Sequence, residues 1–102
     1  ITYRDVRIVR DLVLENREWT PAAFRPYAEE RRERMRRLRF VGTATSILTA
    51  EFGPRAQQRR IKFREEMKRG SFINPTPAAF LGPETVPAEA FEPQVLERLR
   101  AL

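Results

Sequence analysis

Met35-Arg36-Arg37-Leu38-Arg39-Phe40-Val41-Gly42-Thr43-Ala44-Thr45-Ser46-Ile47-Leu48-Thr49-Ala50-Glu51-Phe52 is the stretch that decides the fold class. Within it Met35, Leu38, Val41, Thr45, Leu48 and Phe52 recur at helical spacing, which lays one apolar stripe along a helix face. The pattern extends back to Pro26 with only Gly42 in its way, so the spacing predicts a helix over 26–52. At 1.5 Å per residue that is a rod of roughly 40 Å. A chain of 102 residues cannot cover such a rod by itself. Part of its face is therefore expected to lean on another segment or subunit.

Gly53-Pro54 stops this helix and starts the next. Residues 54–69 read as a mostly polar helix anchored by Ile61, Phe63 and Met67, and Gly70 ends it. From Ser71 to Pro93 the chain is Pro-rich, with Asn74-Pro75, Thr76-Pro77, Gly82-Pro83 and Val86-Pro87. It reads as an extended arm interrupted by turns. Phe72, Ile73, Phe80, Leu81 and Phe91 interleave with the prolines, so the arm is expected to lie on a surface. Gln94 to Leu102 closes as a short helix with Val95, Leu96, Leu99 and Leu102 facing inward.

Toward the N-terminus, Thr20-Pro21 pairs a cap with proline at the first helical position. A short turn through Phe24 is expected there, ended by Pro26, which restricts Arg25. Thr2 to Asn16 carries Val6, Val9 and Val13 on one stripe with Ile8 and Leu12 beside it, a first amphipathic helix. The expected fold is all-α, about four helices plus the Pro-rich arm. The expected organisation is a helical part over 1–70 and an arm with terminal helix over 71–102.

Composition removes several chemistries. The chain has no Cys and no His, so it offers no disulfide, no thiolate and no imidazole base or ligand. The scattered carboxylates show no calcium-loop spacing, so neither a metal site nor a catalytic residue is assigned. No apolar run approaches the ~20 residues of a membrane span, no secretory signal is visible, and a cytoplasmic location is expected.

Net charge is +6, and 18 of the 20 basic residues are Arg. The densest run is Glu29-Glu30-Arg31-Arg32-Glu33-Arg34-Met35-Arg36-Arg37-Leu38-Arg39, followed by Arg59-Arg60 and Lys62. As a functional motif it would be a helix lying along phosphates, that is, a nucleic-acid-binding module. As an ordinary helix face it is a solvated surface with Glu30–Arg34 and Glu33–Arg37 at i,i+4 spacing. The interleaved glutamates and the lack of an aromatic stacking platform favour the solvated face, so no nucleic-acid partner is expected. A helical oligomerisation or partner-binding module is the other alternative: Gly42, Ala44 and Ser46 would admit a second backbone, although sustained heptads are lacking. A homo-oligomer stays open on this reading.

Tyr3-Arg4-Asp5-Val6-Arg7-Ile8-Val9-Arg10-Asp11-Leu12 resembles the helix after the last flavin-binding loop of FAD-dependent monooxygenases of the p-hydroxybenzoate hydroxylase fold (group A). Asp5 stands where that family has an aspartate on the helix. Trp19, Tyr27-Ala28-Glu29-Glu30-Arg31, Met35-Arg36-Arg37-Leu38-Arg39 and Phe52-Gly53-Pro54 are similar to the C-terminal helices of its bacterial members. Ile1-Thr2 enters helical spacing with no cap ahead of it, and the first N–H groups of a helix need partners. The expectation is therefore the C-terminal part of a larger α/β FAD-binding protein.

The resemblance implies FAD bound mainly by segments outside this chain, NAD(P)H as co-substrate, and transfer of one oxygen atom from O2 to a small organic substrate. Ile1 and Thr2 would then touch the edge of the cofactor pocket through backbone atoms. The chain itself would form the wall behind the flavin and part of the inter-domain packing, inactive alone.

Overall fold

A computed structural model describes residues 2–15 and 19–102. It is mostly helical, with no strand among the described residues. The elements are α1 (Thr2–Glu15), α2 (Pro21–Thr45), a π-helical turn (Ser46–Ala50), α3 (Pro54–Arg69), α4 (Ala78–Leu81), 3-10 turns at Pro83–Thr85 and Ala88–Phe91, and α5 (Pro93–Ala101).

Two compact units emerge, residues 1–36 and 37–102, with the boundary inside α2. Residues 71–102 thus belong to the same unit as residues 37–70.

In the first unit, α2 begins at Pro21, earlier than predicted, and runs through Pro26. Thr20 starts it by accepting the Ala23 N–H on its carbonyl (3.0 Å) and its Oγ1 (3.4 Å). Pro26 removes one bond, the one to the Ala22 carbonyl. Ala22 is exposed, so water can replace that bond and the helix survives. Indole Nε1 of Trp19 donates to the Val13 carbonyl in the last turn of α1 at 3.2 Å. Toward the start of α1, Arg4 pairs with Glu30 and Asp5 with Arg31 of α2. These contacts fold α1 back along α2 as a helical hairpin. Ile8, Val9, Leu12 and Val13 are only half-buried, while Tyr3 (88% exposed), Val6 (61%) and Leu14 (77%) face outward.

The second unit holds every buried side chain among the described residues. Phe40 and Val41 of α2 pack against Ala78, Val86, Ala90 and Phe91. Ala44, Ile47 and Leu48 pack against Phe72 and Leu99, with Phe63, Met67, Val95, Leu96 and Leu102 closing the edge. Phe40 meets Phe91 edge-on (6.0 Å, 72°), and Phe63 meets Phe72 likewise (5.3 Å, 81°). Such pairs add about 0.5–1.5 kcal/mol beyond the area they bury.

The Pro-rich arm is therefore core material, and it is less extended than its prolines suggested. Pro83 and Pro93 stand at first helical positions, and Pro77 and Pro87 immediately precede a short helical turn. Proline's fixed φ and missing N–H suit the start of a turn, so each proline begins one rather than stretching the chain.

Two stripes end differently from their predicted course. After α2 the chain leaves the helix at Glu51 (φ −79°, ψ 146°), so the 3.6-residue period stops before Phe52, which is 93% exposed. In α3 the inward residues are Ala56 and Arg59, with Phe63 and Met67 half-buried, while Ile61 is 55% exposed. Gly70 takes φ 70° and ends α3 in a Schellman motif: its N–H bonds the Met67 carbonyl and the Ser71 N–H bonds that of Glu66.

Candidate functional site

Of the two residues that the sequence assigned to the flavin edge, Ile1 lies outside the described residues, and Thr2 is the first residue of α1. Asp5, in the family's aspartate place, is tied to the Arg31 guanidinium across the hairpin, and its side chain is only 16% exposed. That carboxylate is already matched by a cation, which makes it a hairpin fastener. Beside it, Val6, Val9, Arg10 and Tyr27 line a shallow, mostly apolar hollow of about 460 Å³.

The arginine run shows where the positive charge goes. Arg36 donates from Nε and Nη2 to the two carboxylate oxygens of Glu33 (2.9 and 2.8 Å). That hydrogen bond is the main reason the Arg36 guanidinium sits above its ordinary value. Arg37 lies over the Phe91 ring at 5.1 Å. Later arginines serve the backbone. Arg60 donates from Nε to the Leu48 carbonyl and from Nη2 to those of Thr49 (3.2 Å) and Glu51 (2.6 Å). It caps the open C-terminal end of the π turn, whose last carbonyls have no helical partner.

Arg59, 6% exposed, pairs with Glu51 and donates to the Arg100 carbonyl at the end of α5 (3.1 Å). Arg98 donates to the Ser71 carbonyl (2.9 Å) and lies over Phe72 at 5.1 Å. These guanidiniums are spent on carboxylates, carbonyls and rings of this same chain. Arg is suited to such work because its planar fork satisfies several acceptors at once.

The second unit carries a cleft of about 890 Å³. Leu48 of the π turn, Phe63 of α3, and Pro77, Phe80 and Leu81 around α4 give it an apolar lining, and Arg60 and Arg64 bring the charge. Phe80 (92%) and Leu81 (67%) stand largely in solvent at its edge. The sequence suggested both as anchors of an arm lying on a surface and pointed to no site at them. The only available signal was an apolar pair directly before Gly82-Pro83, because the cleft is made by three segments distant in sequence.

Among the described residues, no group of three or more Asp and Glu side chains is placed to hold a metal ion. No described helix is long and apolar enough to cross a membrane. Compared with protein families, curated proteins and solved structures, the chain matches none.

Proposed function

We propose that this chain is a helical packing module whose N-terminal hairpin lies against another polypeptide body. The carrying observation is the state of α1. It is a 14-residue helix with Tyr3, Val6 and Leu14 outward and no fully buried described side chain in its unit. A helix this short is marginal in water without packing. Covering three large apolar side chains contributes about 1.5–3 kcal/mol each when burial is complete.

The sequence resemblance supplies the identity of that body: the FAD-binding part of an NAD(P)H-using monooxygenase. Of what a flavin needs, the residues here meet one requirement. The N-terminal turn of α1 presents backbone N–H groups and the positive end of a helix, favourable to negative charge on the ring. Asp5 is occupied by Arg31 and serves the hairpin. The bound cofactor would supply the oxygen-transfer chemistry, while this chain would orient the α1 terminus and exclude water behind it.

The test is made on the polypeptide that carries this chain. Purified from cells, it should show flavin absorbance and consume NADH or NADPH and O2 in the presence of an organic substrate. Val6→Ser with Leu14→Ser should weaken flavin retention. A colourless protein that does not take up added FAD removes the flavoprotein reading. Self-association would draw on the same outward side chains, and a concentration-dependent mass that is lost in the same double variant would favour it.

A further inference from the structure

The cleft between the π turn, α3 and α4 has a chemistry that the packing proposal does not use. Its walls are apolar, and its only charged lining residues are two arginines of α3 one turn apart, Arg60 and Arg64. Two of the threonine hydroxyls nearby are already donating, Thr49 Oγ1 to the Thr45 carbonyl (2.7 Å) and Thr76 Oγ1 to Asn74 Oδ1 (2.8 Å).

Arg60 is fixed by three backbone carbonyls through Nε and Nη2. Its Nη1 has no acceptor among the described residues. Arg64 has neither a hydrogen bond nor an ion pair among the described residues. The cleft therefore pairs an apolar floor with two unneutralised guanidiniums, one of them held rigid. A volume of about 890 Å³ lies within the range of small-molecule sites, roughly 300–1,000 Å³.

We propose that this cleft binds a small apolar carboxylate, with its anionic head on Arg60 and Arg64 and its hydrocarbon or aromatic body on Leu48, Phe63, Phe80 and Leu81. Charge decides among occupants. A second copy of this chain carries a net +6 and would bring like charge to the two arginines. A carboxylate receives charge-assisted hydrogen bonds there, which are about twice as strong as neutral ones. Phe80 and Leu81, now in solvent, give the ligand body apolar surface to cover. The site involves residues 45–81 and does not depend on what covers α1.

Dodecanoate below its micelle concentration is the probe, with dodecanol and acetate as controls, followed by calorimetry and backbone amide shifts on the whole chain. Dodecanoate should bind with shifts confined to residues 45–49, 60–64 and 76–81, and dodecanol and acetate should bind at least about tenfold more weakly. Arg64→Gln, an exposed substitution that leaves the fold intact, should weaken dodecanoate about tenfold and leave dodecanol unchanged. Phe80→Ala should weaken both. Equal binding of dodecanol and dodecanoate, shifts spread over α1, or an acidic peptide outcompeting dodecanoate would each overturn the proposal.

Discussion

The two units of this chain are held by different physics. Residues 37–102 are organised by burial: Phe91 and Leu99 are fully enclosed, and two edge-on aromatic pairs lock the inner layer. Residues 1–36 are organised by polar contacts: two crossed ion pairs, Arg4–Glu30 and Asp5–Arg31, and the Trp19 indole on a carbonyl. Burial of a large apolar side chain contributes about 1.5–3 kcal/mol, whereas a partly exposed ion pair contributes about 0–1 kcal/mol. The first unit has a defined register and little to stabilise it, which agrees with the proposal that the hairpin lies on a neighbour.

The largest blow to the stable side of this contrast is Phe91→Ala. Phe91 is fully buried between Phe40 and the Arg37 guanidinium, and its loss should cost about 3–5 kcal/mol in urea unfolding. A change below about 1 kcal/mol would mean that the second unit is not built around it. Next comes Glu51→Gln, which strips the carboxylate from the buried Arg59 guanidinium. The expected cost is about 1–3 kcal/mol, that of leaving a buried polar group poorly satisfied. Arg59→Gln should add little on top of it.

Smaller again is the hairpin's own fastener. A double-mutant cycle of Asp5→Asn and Arg31→Gln should give a coupling under about 1 kcal/mol, because Arg31 is more than a third exposed and solvent screens it. A much larger coupling would make the first unit electrostatically self-sufficient. Smallest is Val6→Ser with Leu14→Ser in the chain alone, expected within about 0.5 kcal/mol of the parent because both side chains already face outward. The same pair should matter far more once the proposed neighbour is bound.

Helix punctuation was legible in the sequence because it is local. Pro54 starts α3 and Gly70 ends it where expected, and Leu99 with Val95, Leu96 and the following Leu102 forms the inward face at α5. Thr20-Pro21 reads as a helix start and is one, whereas Pro26, which reads as a break, lies inside α2. What the sequence hid was non-local. Phe52 and Phe80 look like core residues and are exposed, whereas Arg59 looks like a surface residue and is buried because Glu51 and the end of α5 come to meet it.

The arm's role was hidden for the same reason: only the position of Phe40 and Val41 shows what Val86, Ala90 and Phe91 cover. The cleft left only the apolar pair Phe80-Leu81 as a trace in the sequence, since it joins residues of the π turn, α3 and α4. The proposed flavin edge at Ile1 and Thr2 was read from resemblance, and its local counterpart, Asp5, proves to be engaged with Arg31.

Native-state hydrogen exchange on the isolated chain tests the central contrast most directly. Amides of residues 38–48 and 96–100 should exchange only through global unfolding, while those of 6–15 and 25–35 exchange orders of magnitude faster through local opening. Uniform protection across both units would contradict the account, because the hairpin would then be stable without anything to lie on.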